Sequence, residues 1–204
     1  FQGKPQSASY RRAAFPERST HNRISVTNAH SMSMNIVVFA SHGGSNLQAV
    51  VDAVAEGRID ADIKAVISNN SGAFALERAR RAGIPAYHVS LKTEGDEAAL
   101  SQKLLTLLAE KETDIILLLG YMRMLPVEVL KRYHNRIFNI HPALLPRYGG
   151  KGMYGIHVHE AVIASGDTVS GVTIHRVDEA YDRGEIVAQA EVPVRTCLLY
   201  TSDA

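Results

Sequence analysis

Tryptophan is absent from the 204 residues, and cysteine occurs once, as Cys197. A lone thiol closes no internal disulfide and builds no cysteine zinc site, so the chain suits a reducing compartment and is expected in the cytoplasm. Long apolar runs are missing too. The most apolar stretch, residues 115–119, is far short of the roughly 20 residues a membrane-spanning helix needs, and no membrane partner is expected. Neither sign of charge dominates, since 22 Lys and Arg face 21 Asp and Glu. The balance is uneven along the chain: residues 1–33 hold Lys4, Arg11, Arg12, Arg18 and Arg23 against Glu17 alone. The remainder is therefore mildly acidic and lacks the basic footprint of a nucleic-acid binder. What is present is ordinary globular composition, 46% apolar and 21% charged, at a length that fits one domain with tails.

The tails stand apart by pattern. Residues 1–33 mix Ser, Arg, Asn, His and Pro with no sustained apolar period, and are expected to be a disordered or non-native N-terminal extension. An organellar leader has a similar Arg- and Ser-rich, acid-poor composition. The domain is expected to start at Met34 and to run to residue 195. Residues 196–204 continue no pattern and resemble a translated sequencing adapter, so they are expected to be a non-native tail on a truncated C-terminal end.

Between the tails, strand and helix signals alternate. The run from Ile36 to Ala40, the loop Ser41-His42-Gly43-Gly44-Ser45, and Leu47, Val50, Val51 and Val54 at helical spacing read as strand, glycine-rich loop and helix. Residues 62–68 and 85–89 read as strands around a helix over 73–82. Leu100, Leu104, Leu107 and Leu108 make one apolar helix face, and the run after Asp114 has no polar alternation, as in a buried parallel strand. Strands over 136–140, 168–177 and 186–194, with a helix over 159–164, complete the series. The expected fold is α/β, a Rossmann-like, open, mostly parallel sheet with helices on both faces.

Ligands bind such sheets beyond the carboxyl ends of the strands, and four polar clusters fall there. Ser41 to Asn46 can turn backbone N–H groups toward an anion at a helix start; the alternative is a tight turn with Ser45 or Asn46 as the helix cap. Gly120-Tyr121-Met122-Arg123-Met124-Leu125 can pair a carboxylate with Arg123 while thioethers line a flat ligand, or can be a plain turn with a solvated Arg. In the segment Phe138 to Pro146, Asn139 and His141 lie two apart and share one side of an extended chain. An amide donor and a titratable ring aimed at one point can stabilise an oxyanion and move protons. Finally, the loop after Val177 offers Asp178, Glu179 and Asp182, either as an acidic surface or, for Asp182, as a partner that orients the His141 ring.

Asn139-Ile140-His141-Pro142, followed by Leu144-Leu145-Pro146 and, downstream, by Asp182, resembles the signature of the folate-dependent formyltransferases. Ser41-x-x-Gly44-Ser45-Asn46-Leu47-Gln48 is similar to the opening of the branch that acts on phosphoribosylglycinamide. The resemblance runs in order over residues 34–194. It implies the formyltransferase fold and transfer of a formyl group from 10-formyltetrahydrofolate, as co-substrate, to the amine of glycinamide ribonucleotide in purine biosynthesis. It implies no metal, and a monomer or homodimer.

By position, Gly44, Ser45 and Asn46 would hold the ribonucleotide phosphate. Met122, Arg123, Met124 and Leu125, with Asn139 and with Asp178, Glu179, Ala180, Tyr181 and Asp182, would line the folate pocket. Asn139, His141 and Asp182 would be the catalytic set, with Asn139 and a protonated His141 donating to the formyl oxygen and Asp182 raising the ring's pKa. Asp96 stands where some relatives carry Arg, with Lys92 as a substitute, and the loop over residues 149–155 is long, placing Lys151 toward an anion or in solvent. Relatives continue past residue 194 into a helical end.

The alternative enzymes are formyltetrahydrofolate deformylase, whose extra N-terminal regulatory domain leaves no trace in residues 1–33, and formyltransferases acting on methionyl-tRNA or sugar nucleotides. A noncatalytic phosphosugar-binding sensor would use the Ser41 to Asn46 loop but gives no reason for Asn139, His141 and Asp182 together.

Overall fold

The computed structural model describes residues 33–194. The expectations for the N-terminal extension up to residue 32 and for the adapter-like tail lie outside the described residues.

Seven strands form one sheet in the order β3-β2-β1-β4-β5-β6-β7: β1 (Met34–Phe39), β2 (Ala61–Ser68), β3 (Ala86–His88), β4 (Ile115–Leu118), β5 (Ile137–His141), β6 (Val169–Arg176) and β7 (Ile186–Pro193). The first five run parallel, and β6 and β7 are antiparallel to their neighbours. Side chains of β1 alternate between two apolar layers. Val37 and Phe39 pack with Leu104, Leu108, Ile116 and Val129, under α4 (Glu97–Glu110) and α5 (Val127–Arg132). Ile36, Val38 and Ala40 pack with Leu47, Leu76 and Ala79, under α1 (Ser45–Ala55) and α2 (Phe74–Arg81). A strand buried on both faces needs this unbroken apolar run, which is why β1 and β4 read so clearly in sequence.

Two short helices escaped the periodicity reading, α3 (Leu91–Glu94) and α5, because four and six residues are too few to display a 3.6-residue repeat. α3 is held by a capping box: the Ser90 Oγ accepts from the Thr93 N–H at 3.2 Å, and the Ser90 N–H donates to the Thr93 Oγ1 at 3.0 Å. The longer α6 (Ile156–Ala164) follows the glycine-rich segment after β5.

The chain leaves β1 toward β2 on one side and reaches β4 on the other. That reversal of direction opens a crevice between the loops that follow β1 and β4. The Ser41 N–H donates to the Gly120 carbonyl at 3.0 Å across it, so the two loops are fastened where a ligand would enter.

Candidate active site

A cavity of about 610 Å³ occupies this crevice and extends over the end of β5. Its walls include Gly44, Ser45 and Asn46, then Met122, Arg123, Met124 and Leu125, then Asn139 and His141, and finally Ala180, Tyr181 and Asp182. The four clusters singled out in the sequence thus meet in one space.

At one end, Gly44 is the N-cap residue of α1, and no side-chain hydrogen bond caps the helix. Neither Ser45 nor Asn46 acts as a cap, so the first-turn N–H groups and the positive end of the helix dipole are left for another acceptor. The loop is shaped from behind. Gly44 holds φ at 73°, and a Cβ there would sit 2.8 Å from the Ala75 Cβ of α2, so only glycine fits. Arg78 donates from Nε to the Gly43 carbonyl at 2.8 Å and from Nη1 to the Gln48 Oε1 at 3.1 Å. It thereby turns the Gly43 carbonyl dipole toward its own positive charge.

Ser41 joins this loop to the next. Its buried hydroxyl accepts from the Met122 N–H at 2.8 Å and donates to the Asn69 Oδ1 at 2.6 Å. Tyr121 packs edge-on against Phe39, with centroids 5.2 Å apart, and burial pushes its phenol up to about 12, Arg123 pulling the other way. Tyr121 therefore stays a neutral wall. Leu125 belongs to the core as well as to the wall, whereas Arg123 is exposed.

The far wall comes from the pairing of β5 with β6. Antiparallel register sets Asn139 opposite His175 and His141 opposite Thr173, and a period of two puts all four side chains on one face. Thr173 is fully buried and works on the backbone: it donates to the Ala143 carbonyl at 2.6 Å and accepts from the Leu145 N–H at 3.0 Å. The turn that follows His141 is thus pinned to β6.

Both contacts of the His141 ring come from unusual backbone. Its Nε2 lies 2.7 Å from the Tyr148 carbonyl, and its Nδ1 lies 3.7 Å from the Asp182 Oδ1. Tyr148 and Asp182 each hold left-handed backbone, with φ of 57° and 53°, a conformation costly outside glycine and concentrated at functional sites. Asp182 is tied in turn by the Gly150 N–H at 2.9 Å. A carbonyl accepts only, so His141 Nε2 carries a hydrogen, and in the neutral ring Nδ1 is the bare, basic atom.

Burial decides the charge of that ring. It pushes the His141 pKa down, and the Asp182 carboxylate and the Tyr148 carbonyl pull up by less, so the net displacement is below the ordinary 6.5. The expected protonated His141 is therefore corrected: Asp182 does act in the raising direction, but desolvation outweighs it. For Asp182, burial pushes up, and the adjacent His175 ring, the Gly150 N–H and the His141 ring bring the carboxyl below its usual 3.8. It stands as an anion beside a neutral imidazole.

Asp178 and Glu179 do not line the cavity. The Asp178 carboxylate accepts from the Ala180 N–H at 2.8 Å and so shapes its own turn, and Glu179 is exposed. Asp96 caps α4, accepting from the Ala99 N–H at 2.8 Å. The cavity touches Gly150 and Gly152 but not Lys151. Among the described residues, no group of three or more His, Cys, Asp and Glu side chains is placed to hold a metal ion, and no helix is long and apolar enough to cross a membrane. His175 was missed in the sequence; the signal for it is its alternation with Gly171 and Thr173 along β6, all three of them buried.

The comparisons with known proteins agree with this geometry. Residues 34–202 match the family model described as formyl transferase. The chain is 42% identical over 182 residues to the protein named phosphoribosylglycinamide formyltransferase, chloroplastic, of Vigna unguiculata, covering 89% of this chain and 57% of that protein. It is 38% identical over 161 residues to phosphoribosylglycinamide formyltransferase of Escherichia coli K12, covering 79% and 74%. The chain therefore spans little more than half of the plant relative. Among solved structures, glycinamide ribonucleotide transformylase 1 from Geobacillus kaustophilus aligns with a TM-score of 0.74 at 36% identity, over 80% of this chain and 85% of that one. A sheet of this order, the strand-end Asn139 and His141, and a match over most of the chain have one reading: the chain belongs to the formyl transferase family.

Proposed function

We propose that this chain transfers a formyl group from 10-formyltetrahydrofolate to the amine of glycinamide ribonucleotide. One observation carries the reading: an uncapped helix N-terminus and the Asn139, His141 and Asp182 set open into the same cavity. A phosphate seated on Gly44, Ser45 and Asn46 receives backbone N–H donors and the helix dipole. The folate lies against Met122 to Leu125 and Ala180 to Asp182, its formyl carbon over the end of β5.

Attack of the amine on the formyl carbon builds negative charge on the formyl oxygen and positive charge on nitrogen. Asn139 offers a preformed N–H to the oxygen, a contact worth about 2.7–4 kcal/mol in a well-studied oxyanion site. The His141 Nε2–H is the second donor once the formyl oxygen replaces the Tyr148 carbonyl as its partner. The basic His141 Nδ1 and the Asp182 anion face the positive charge, take the proton that the amine loses and return it to the folate nitrogen as its bond to the formyl carbon breaks. The protein acts on small molecules as a monomer or homodimer, and its sparse cysteine suits the cytoplasm.

Formyl transfer assayed with both substrates is expected to proceed only when glycinamide ribonucleotide is present. A likeness to formyltetrahydrofolate deformylase from Pseudomonas syringae, at 26% identity and a TM-score of 0.72, supports a second reading in which water is the acceptor. Formate release at the same rate without the ribonucleotide would select it.

A further inference from the structure

His175 stands in the wall of the cavity, beside Asn139 and Asp182, and is buried there, with its side chain 3% exposed. Its two shorter contacts, to Arg176 and Asn139, favour one state over the longer approach of Asp182. Nδ1 lies 2.8 Å from the carbonyl of Arg176, and a carbonyl accepts only, so Nδ1 carries the hydrogen. In the neutral ring Nε2 is then a bare lone pair. That lone pair lies 3.0 Å from the amide of Asn139, the cross-strand partner of His175. A lone pair requires a donor, so Asn139 must turn its Nδ2 toward the ring and cannot present its oxygen there.

The amide group has two N–H donors. With one spent on His175, the other and the side-chain oxygen have fixed directions. The alternative arrangement is equally definite. Asp182 Oδ1 lies 3.5 Å from the same Nε2. A hydrogen on Nε2 would bind the carboxylate, and Asn139 would have to reverse, turning its oxygen to the ring. A reversed amide puts lone pairs where the oxyanion develops and repels it. The choice of tautomer at one buried imidazole therefore decides whether the strand end stabilises or opposes negative charge.

We propose that His175 is a positioning residue that sets the orientation of the Asn139 amide, relayed from the Arg176 carbonyl through the ring, so that an N–H of Asn139 faces the formyl oxygen. The proposal rests on the formyl-transfer reading, and it makes a demand on two variants that a purely structural role would reverse. His175→Asn keeps a donor near the position of Nδ1 for the Arg176 carbonyl but loses the distant acceptor. His175→Gln places a carboxamide oxygen near the position of Nε2 and can accept from Asn139 again.

Steady-state kinetics of both variants, together with long-range ¹H–¹⁵N spectra of the His175 ring in the wild-type protein, test this. The expected result is a ring protonated at Nδ1 and bare at Nε2. The kcat of His175→Asn is expected to fall about 100-fold or more, the loss seen when an oxyanion donor is removed, with KM for both substrates little changed and most of the rate recovered in His175→Gln. Equal loss in the two variants, better activity in His175→Asn, an effect confined to KM, or an Nε2-protonated ring would each overturn it. The spectra need no turnover. If the wild-type protein transfers no formyl group while its ring shows the expected tautomer, the functional reading has failed and the orientation has not.

Discussion

A histidine that is buried, faces a carboxylate and is still neutral is the central feature at the scale of single residues. The charge state follows from competition: desolvation pushes His141 down by more than Asp182 and the Tyr148 carbonyl push it up. Removing the negative charge while keeping the shape should therefore lower the ring's pKa further, and in Asp182→Asn the His141 resonances are expected to titrate at lower pH than in the wild type. Identical titration curves would show that Asp182 acts by position alone. The same variant is expected to lose kcat far more than it changes KM, because the positive charge on the attacking nitrogen exists only after attack begins. The linkage to stability has a definite sign. Between the folded pKa of His141 and 6.5 the unfolded chain holds a proton that the native ring refuses, so stability rises with pH through that window and is lost on acidification. Asp182, held below 3.8, contributes stability that is present above 3.8 and is lost as pH falls through its folded value. Both groups make the fold acid-labile, and the midpoint of denaturant unfolding should fall from pH 7 to pH 5 through His141 before Asp182 has any part.

At the scale of elements, the site is a set of loops held at fixed separation by the strands before them, and the loop after β1 is the least tolerant. Gly44→Ala imposes a left-handed backbone on a residue that disfavours it, by about 1–2 kcal/mol, and drives a methyl group to 2.8 Å from Ala75. The loop and the start of α2 must separate. The expected outcome is a raised KM for the ribonucleotide, an unchanged KM for the folate and a lowered melting temperature, measured on one preparation; a rise in the folate KM alone would detach this loop from the phosphate. The first three loops were legible in the sequence because each carries a residue type dictated by backbone geometry, glycine at the positive φ of Gly44 and Gly120 and proline after His141, whereas the fourth, in which Asp182 itself is left-handed, showed only its carboxylates. His175 was not legible as a partner of Asn139, because their meeting depends on the register of two antiparallel strands separated by α6, and a run such as residues 169–176 does not announce its register. Nor was the neutral charge of His141. Sequence showed the carboxylate that raises the pKa, whereas the burial that lowers it belongs to the packing of Tyr148 and Asp182 around the ring. The short α3 and α5 carried too few residues for periodicity, and the capping pair Ser90 and Thr93 was the only local signal for the first of them.

The molecule as a whole brings the two proposed binding regions into one cavity. Ser41, the serine at the seam, has its hydroxyl committed to Asn69 and to the Met122 N–H and is 1% exposed, so it is not an available nucleophile. His141 Nε2 points at a carbonyl, and its Nδ1 faces a carboxylate, an arrangement suited to moving protons and not to bonding carbon. A cavity of about 610 Å³ lies within the ordinary range for small-molecule sites, roughly 300–1,000 Å³, and its two ends are lined by different strand termini, so both substrates can be present together. The network through Ser41 fixes the distance between the ends, which converts a bimolecular attack into one between groups already aligned. On the formyl-transfer reading proposed above, direct transfer inside a ternary complex is expected. Initial-rate measurements with both substrates varied are expected to give intersecting double-reciprocal lines, and protein mixed with labelled 10-formyltetrahydrofolate alone should carry no label after rapid denaturation. Parallel lines, or a labelled chain, would mean that a side chain holds the formyl group between half-reactions, and the assignment of Asn139, His141 and Asp182 as a purely electrostatic and proton-transferring set would have to be abandoned.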